Sequence, residues 1–352
     1  MRWLGFGLVA LSTPAVAQTQ ARIEEAAAVL KPLVESYGVS GYEGPVREVV
    51  QGLLPAGAKS EVDTAGNLWV RVGTGEPLTV IIAHIDEIGF TVNNVRDDGT
   101  LELTPRGGLF PTLFEGQAAL IHTARGSIPA VFAPRDSGET GLRADPGVGS
   151  RVAAEQLGIA KGTSLTMPKR FVRLAGSRTT GRSFDDRVGS AALLLALKHL
   201  DAKKLKHEVI FVWSVREEVG LEGARAVAAA LGTRPVRVYA IDTFVSADAP
   251  LERQTYAVAR LGQGAVARAL DQSSVTSPAH VDSLVQLARA RKIALQVGTT
   301  SGGNDGSVFL PYGVADIPIG WPLRYSHSPA EVMDLKDLVA LADIVQAIAE
   351  AW

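Results

Sequence analysis

The 352-residue chain contains no cysteine. Disulfide bonds, thiolate nucleophiles and cysteine-ligated zinc sites are therefore excluded, so any bound metal ion must be held by histidine and carboxylate side chains. An excess of charge is also missing, because 35 Lys and Arg against 37 Asp and Glu give a formal net charge of −2. Without a basic field to hold phosphate groups, nucleic acid is not an expected partner.

Long apolar runs are absent as well. The N-terminal run from Trp3 to Leu11 is far shorter than the roughly 20 residues that span a bilayer. Arg2 precedes this run and the small residues Ala15-Val16-Ala17 follow it, which is the layout of a secretory signal peptide. We therefore predict a signal peptide over residues 1–17, export to the periplasm or the medium, and no membrane contact after cleavage.

The composition that remains is that of a globular protein, with 46% hydrophobic and 20% charged residues. The run Leu78–Ala83 is long and apolar enough for a strand that is buried on both faces. After Gly181, predicted helices and strands alternate along the chain. They are helices 187–200, 221–231, 279–290 and 335–349, and strands 208–214, 236–241 and 293–297. This alternation predicts an α/β protein with a three-layer αβα domain, whose mixed, mostly parallel sheet has helices on both faces.

Residues 89–174 have a different sequence pattern from the rest of the chain. Short β-like pieces alternate with Gly, Pro, Arg and Thr, and a single helix is predicted near Arg151 to Leu157. We interpret this segment as an inserted β-rich domain. The predicted catalytic domain is then discontinuous and comprises residues 18–88 and 175–352.

Side chains that can bind metal follow several of the predicted strands. In open α/β sheets, ligands bind beyond the carboxyl ends of the strands, so these side chains should meet at one edge of the sheet. They are His84 and Asp86 after strand 78–83, Glu217 and Glu218 after strand 208–214, Asp242 after strand 236–241, Asp185 at the start of a helix, and His327 after the apolar segment 317–321.

These residue types suit a pair of divalent ions. Two ions about 3.5–4 Å apart share a bridging ligand, and each needs further ligands of its own. Adjacent side chains on a turning backbone point in different directions, so one of Glu217 and Glu218 can bind metal while the other faces the water between the ions. Asp86 lies two residues after His84, where it can hydrogen-bond the free nitrogen of a metal-bound imidazole.

Several strings of residues resemble, in the same order, the motifs of a known enzyme family. They are Ser40–Glu43, Ala83–Phe90 (AHIDEIGF), Ser183–Gly189 (SFDDRVG), Glu217–Ala224 (EEVGLEGA), Gly302–Asp305 (GGND) and Tyr325–Pro329 (YSHSP). The family is that of the tetrahedral, or glutamyl and deblocking, aminopeptidases, metallopeptidase family forty-two. The resemblance covers about residues 22–350, and an insert of the right kind separates the second and third strings.

The resemblance implies a set of roles. The ligands would be His84 and Glu218 for one ion, Asp242 and His327 for the other, and Asp185 for both. Glu217 would be the general base and Asp86 would orient His84. Zinc is the expected metal, with Co²⁺ and Mn²⁺ as alternatives, because His/carboxylate sites accept all three. Asp186, beside the bridging ligand, is interpreted as a helix cap rather than a ligand.

The resemblance also implies an activity and partners. The expected activity is hydrolysis of N-terminal residues from peptide substrates, with the insert 89–174 covering the active site and making dimer contacts. The expected assembly is a homo-oligomer, either a dimer or a dodecamer built from dimers. Two other classes of function stay open: a co-catalytic metal carboxypeptidase or amidohydrolase of the same architecture, and an inactive protein that binds partners with the same fold.

Overall fold

The computed structural model describes residues 14–135, 141–245, 248–250 and 259–351. The predicted signal peptide lies outside the described residues except for 14–17, which begin the first helix. Helices in the described residues are α1 (Pro14–Glu35), α2 (Gly44–Leu53), α3 (Arg151–Gln156), α4 (Phe184–His199), α5 (Glu222–Leu231), α6 (Pro278–Arg291) and α7 (Leu335–Ala351). None of the helices in these ranges is both long and apolar enough to cross a bilayer.

The strands form one large sheet, a closed barrel and two small sheets. In chain order they are β1 (Ser60–Val62), β2 (Leu68–Val72), β3 (Leu78–His84), β4 (Gly89–Val95), β5 (Leu101–Arg106), β6 (Ala118–Thr123), β7 (Gly126–Ala133), β8 (Arg143–Asp145), β9 (Ser164–Thr166), β10 (Val172–Arg173), β11 (Arg178–Gly181), β12 (Val209–Ser214), β13 (Pro235–Ile241), β14 (Phe244–Val245), β15 (Ala265–Leu270), β16 (Leu295–Thr299), β17 (Ala315–Asp316), β18 (Ile319–Gly320), β19 (Pro322–Leu323) and β20 (Glu331–Asp334).

The large sheet is mixed and mostly parallel. Its order is β1-β2-β12-β3-β13-β18-β15-β16, with β17 beside β13. The central strands β12, β3 and β13 pair in parallel, so their carboxyl ends lie side by side. All seven residues of β3 are buried, as its continuous apolar sequence predicts for a central strand covered on both faces.

Helices cover both faces of this sheet. One core packs the sheet against α1, α2, α4, α6 and α7, and includes Leu30, Leu194 and Leu341. The core on the other face packs the sheet against α5 and the 3₁₀ helix Asp305–Tyr312, and includes Val227 and Phe309. The three layers predicted from the alternation of helices and strands are therefore present.

The insert is a closed barrel with a core of its own. Its strand order is β4-β5-β8-β7-β6-β9, which spans Gly89–Thr166. The rings of Phe90, Phe114 and Phe132 pack together in its centre with centroids 5.2–5.8 Å apart. The predicted insert, residues 89–174, includes β10 (Val172–Arg173). In the structure β10 pairs with β11, in a small sheet with β20, and so lies outside the barrel.

A buried ionic cluster joins the barrel to the catalytic layers. Glu87, two residues before β4, accepts hydrogen bonds from Lys169 Nζ at 2.7 Å and Arg182 Nη1 at 3.0 Å. The guanidinium of Arg187 lies 3.4 Å away on α4. A buried carboxylate needs such partners, because an unpaired charge in the interior costs several kcal/mol. The cluster thus fixes both ends of the barrel against the start of α4.

Candidate metal centre

The predicted site residues meet at the carboxyl edge of the large sheet. His84 ends β3, Glu217 and Glu218 lie in the turn after β12, and Asp242 directly follows β13. Asp185 lies in the first turn of α4, and His327 lies between β19 and β20. Segments far apart in the chain converge here because parallel strands end side by side.

Two groups of these side chains share Asp185, and a third group joins His84, Glu217 and Glu218. Ligand atoms of His84, Asp185 and Asp242 all lie within 4.8 Å of one another, and so do those of Asp185, Glu218 and His327. His84 Nε2 lies 3.2 Å from Asp185 Oδ1, and His327 Nε2 lies 3.4 Å from both Asp185 Oδ2 and Glu218 Oε1. The resemblance implies His84 with Glu218 and Asp242 with His327. Around Asp185, Asp242 instead groups with His84 and Glu218 with His327, although His84 and Glu218 also meet in the group with Glu217.

Asp86 organises one side of the site. Its Oδ1 lies 3.4 Å from His84 Nδ1, so Nε2 of the same ring faces the cluster. Its two carboxylate oxygens also accept the backbone N–H groups of Glu217 at 3.0 Å and Glu218 at 3.2 Å. Ser40 Oγ donates a further hydrogen bond to Asp86 at 2.6 Å. A single buried carboxylate therefore positions an imidazole and the turn that carries two acidic side chains.

His327 is held from the opposite side. Its Nδ1–H donates to the carbonyl oxygen of Gly108, which belongs to the loop after β5 of the barrel. Its backbone N–H donates to Glu331 at 3.1 Å. The ring is thereby oriented with Nε2 toward Asp185 and Glu218.

Arg268 on β15 supports Asp242. The guanidinium is 1% exposed and lies 3.3 Å from Asp242 and 3.0 Å from Asp271. It also donates to the carbonyl oxygens of Thr243 at 3.2 Å and Gly303 at 2.9 Å. Arg268 gives no signal in the sequence, because a lone arginine in an alanine-rich segment acquires a partner only when β15 lies beside β18.

The electrostatics show an excess of buried negative charge. Burial raises the pKa of Glu217 well above its usual range, since the charge of His84 opposes it only in part. Burial also raises the pKa of Asp242 to about 7, although Arg268 opposes the shift. Asp185 is the exception: burial raises its pKa, but the imidazoles of His327 and His84 outweigh that effect and hold it below the usual range.

Divalent cations fit this arrangement. Nδ1 of His327 donates to a carbonyl, so in the neutral ring the lone pair of Nε2 points at the oxygens of Asp185 and Glu218. Acceptors that face one another at 3.4 Å repel unless a proton or a cation lies among them. Imidazole nitrogen and carboxylate oxygen are the ligands that zinc takes without cysteine.

The cluster lies at the base of a cleft of about 560 Å³. Asp185, Glu217, Glu218, Asp242 and His327 line it, whereas His84 is buried behind them. The loop Ser301-Gly302-Gly303 forms one wall of this cleft. Phe110 of the barrel, 65% exposed, lines another part of the cleft.

Comparison with known proteins decides the family. The model of the M42 glutamyl aminopeptidase family matches residues 66–344. The chain belongs to this M42 family. A lysyl aminopeptidase of Pyrococcus furiosus is 30% identical over 342 residues, which cover 92% of this chain and 96% of that protein. A glutamyl aminopeptidase of Lactococcus lactis is 28% identical over 341 residues, covering 91% and 94%.

Solved M42-like structures agree with the fold. The TET1 peptidase of Pyrococcus horikoshii matches with a TM-score of 0.82 at 31% identity, covering 94% of this chain and 99% of that one. The predicted α/β fold, with its mixed sheet and separate smaller domain, is confirmed. The predicted enzyme class is confirmed as well: this M42 member is a metal-dependent aminopeptidase.

Asp186 and Glu43, which belong to two of the motifs, support the M42 site through hydrogen bonds to the backbone. Asp186 accepts a hydrogen bond from Gly189 N at 2.9 Å and so caps α4, as interpreted, and it also accepts one from His84 N at 3.2 Å. Glu43 accepts the backbone N–H groups of Gly41 and Arg216, which ties the Ser40–Glu43 string to the turn before Glu217. The bonds from His84 N to Asp186 and from Arg216 N to Glu43 join segments far apart in the chain, so the sequence did not predict them.

Proposed function

We propose that this metal-dependent aminopeptidase removes N-terminal residues from peptides at a pair of divalent ions, with Glu217 as general base. The observation that carries the proposal is the sharing of Asp185 between two ligand groups. His84 and Asp242 would hold one ion, Glu218 and His327 the other, and Asp185 both. Zn²⁺ suits these ligands best, and Co²⁺ or Mn²⁺ would also fit.

The ions would polarise the scissile carbonyl and lower the pKa of a water between them. The protein's own groups supply the rest of the chemistry. Glu217 lines the cleft, keeps 14% of its side-chain surface exposed, and has Oε2 3.9 Å from His84 Nε2. From this position it would accept the proton of the attacking water and return it to the leaving amine.

Asp86 would keep Glu217, Glu218 and His84 in position. It accepts hydrogen bonds from the backbone N–H groups of Glu217 and Glu218 and faces the His84 ring. The free α-amine of the substrate would bind among the cluster's carboxylates. A peptide whose amine is blocked loses that charge, so cleavage would be limited to the first residue.

Hydrolysis of aminoacyl anilides tests this function. We expect the mature protein to cleave several members of a panel of aminoacyl-p-nitroanilides, to lose the activity with a chelator, and to regain it with Zn²⁺ or Co²⁺. N-acetylated counterparts should not react. Cleavage of N-blocked peptides from the carboxyl end, with no reaction on free aminoacyl anilides, would favour the carboxypeptidase or amidohydrolase alternative.

The stabilisation by bound metal should grow between about pH 5 and about pH 8. Without metal, the raised pKa of Asp242, about 7, means that the folded state keeps a proton that the unfolded chain releases near pH 4, so stability falls as pH rises through this window. Burial lowers the pKa of His327, but Glu218 and Asp185 outweigh it and raise that pKa, so its contribution also falls above about pH 6.5.

Bound cations remove both losses of stability at high pH, because they bind the charged form of Asp242 and the neutral form of His327. The difference in Tm between metal-loaded and chelated protein should therefore widen with pH. Thermal unfolding at several pH values measures it. Groups that titrate elsewhere in the fold affect the metal-loaded and the chelated protein equally, so they do not change this difference in Tm. A difference in Tm that stays constant with pH would contradict the assigned ligands.

We also propose that the chain forms a homo-oligomer, either a dimer or a dodecamer built from dimers. The related TET1 peptidase of Pyrococcus horikoshii can assemble into a tetrahedron or a large octahedral shell. Light scattering on the purified protein at micromolar concentration tests the proposal for this chain, and a monomer would refute it.

Export is a separate proposal that rests on the N-terminal residues. Arg2, the apolar run that follows it and Ala15-Val16-Ala17 favour cleavage after residue 17 and a periplasmic or secreted enzyme. Cell fractionation with N-terminal sequencing tests this proposal, since a cytosolic chain that retains residues 1–17 is incompatible with it.

A further inference from the structure

The two imidazoles of the proposed centre are oriented by different parts of the protein. Nδ1 of His84 faces Asp86 on the same edge of the sheet. Nδ1 of His327 instead donates to the carbonyl oxygen of Gly108, between β5 and the 3₁₀ helix Pro111–Leu113 of the barrel. A carbonyl oxygen can only accept, so Nδ1 carries the hydrogen and Nε2 of the neutral ring is free to bind a cation.

The residue before Gly108 approaches the other ligand of the same group. Gly107 has φ +94°, a left-handed conformation that L side chains rarely adopt. A Cβ on Gly107 would lie 2.6 Å from Ile88 Cγ2 and 3.2 Å from Oε2 of Glu218. The main chain therefore passes so close to Glu218 that there is no room for a side chain.

Gly108 completes the contact with His327. A Cβ built on it would lie 3.7 Å from His327 Nδ1, so the backbone here packs directly on the imidazole edge. Two consecutive glycines of the barrel thus lie against Glu218 and His327, the two side chains that form a group with Asp185 without His84 or Asp242. The group formed by His84, Asp185 and Asp242 comes from β3, α4 and the residue after β13, and none of these three residues belongs to the barrel.

We propose that the segment Gly107–Gly108 of the inserted barrel positions His327 and Glu218, so that the barrel completes one of the two metal sites. The inference rests on the proposed two-metal function. The site of His84 and Asp242 is built by the catalytic layers alone, whereas the site of His327 and Glu218 requires the docked barrel. The two ions should therefore respond differently to a change in this segment.

Two matched glycine variants test the inference. Gly107→Ala introduces both the left-handed strain and the clash with Ile88 and Glu218. Gly116→Ala in the same barrel introduces comparable strain, with φ +71°, but nothing lies within 4 Å of its Cβ. Chelator competition on each metal-loaded protein measures the affinity for each of the two Zn²⁺ ions, and thermal unfolding shows that both variants fold.

We expect Gly107→Ala to weaken one of the two ions by about 10–100-fold, the usual cost of losing the support of a metal-bound histidine, and to leave the other unchanged. Gly116→Ala should bind both ions as the unaltered protein does. Equal weakening of both ions by Gly107→Ala, or of neither, would overturn the inference. An unaltered protein that binds fewer than two ions would instead refute the two-metal function.

A second measurement tests the contact between His327 and Gly108 in the unaltered protein, so it does not depend on whether a glycine variant folds. In the zinc-loaded protein labelled with ¹⁵N-histidine, His327 should show an Nδ1–H proton that is protected from exchange, assigned by its loss in His327→Gln. A His327 ring that carries its proton on Nε2, or an Nδ1–H that exchanges freely with water, would overturn the role of the Gly108 carbonyl.

Discussion

Replacing Glu217 by glutamine should lower kcat by about 10²–10⁴-fold, the usual contribution of a general acid–base group. The substitution keeps the size and hydrogen-bonding capacity of the side chain but removes its ability to accept a proton. Glu217 is not among the proposed ligands, so the variant should still bind two ions. Steady-state hydrolysis of an aminoacyl anilide measures the loss, with metal content determined on the same sample.

Glu222→Gln is the matched control for this experiment. Glu222 lies five residues further along, at the start of α5, with a side chain that is 54% exposed and pairs with Arg216 at 2.7 Å. Its loss changes the charge near the turn without reaching the cluster, so kcat should stay within about twofold, because exposed ion pairs contribute little. Full activity of Glu217→Gln would refute its assignment as the base.

The second large effect is expected for Asp185→Asn. Asp185 lies in both ligand groups, between His84 and His327. An amide provides one neutral oxygen where a shared site needs two charged ones, so bound metal should fall below two ions per chain. Activity should fall on the order of 10³-fold or more, because each ion contributes several kcal/mol of charge stabilisation. Metal analysis after dialysis and kcat/KM for the same anilide measure both effects.

The neighbouring Asp186→Asn separates ligation from folding. Asp186 is buried beside Asp185 but caps α4 through Gly189. Asparagine is also a good cap and keeps the bond from Gly189 N, but its amide cannot accept the second bond, from His84 N. The variant should therefore retain both ions and lose about 1–3 kcal/mol of stability. If Asp186→Asn loses metal as completely as Asp185→Asn does, the assignment of Asp185 as the shared ligand is wrong.

The strongly patterned elements could be predicted from the sequence. The helix expected at 221–231 is α5 (Glu222–Leu231), and the strand expected at 236–241 is β13 (Pro235–Ile241). β15 (Ala265–Leu270) was not predicted, because its sequence Ala-Val-Ala-Arg-Ala-Leu has good helix formers and no alternation of polar and apolar residues. It is a strand because β16 and β18 lie on either side of it, an instance of tertiary context overriding local propensity.

Local sequence also identifies part of the site, whereas other parts depend on tertiary contacts. The candidate ligands were accessible because each of them ends a strand or begins a helix, and parallel strands bring such ends together. Arg268 could not be found, since its role follows from the placement of β15. The pairing of Asp242 with His84 and of Glu218 with His327 depends on side-chain distances of a few ångströms, which residue spacing does not encode.

The residues by themselves therefore determined the three-layer fold, the family and the set of acidic and imidazole side chains at one sheet edge. The spacing of apolar residues, and the polar residues that follow a predicted strand, are local properties that can be read from the sequence alone. The tertiary structure alone decided which candidate ligands lie together, that Asp86 holds the backbone of Glu217 and Glu218, and that Gly107–Gly108 of the barrel reaches Glu218 and His327. These contacts join segments far apart in the chain, so they exist only once sheet, helices and barrel have packed against one another.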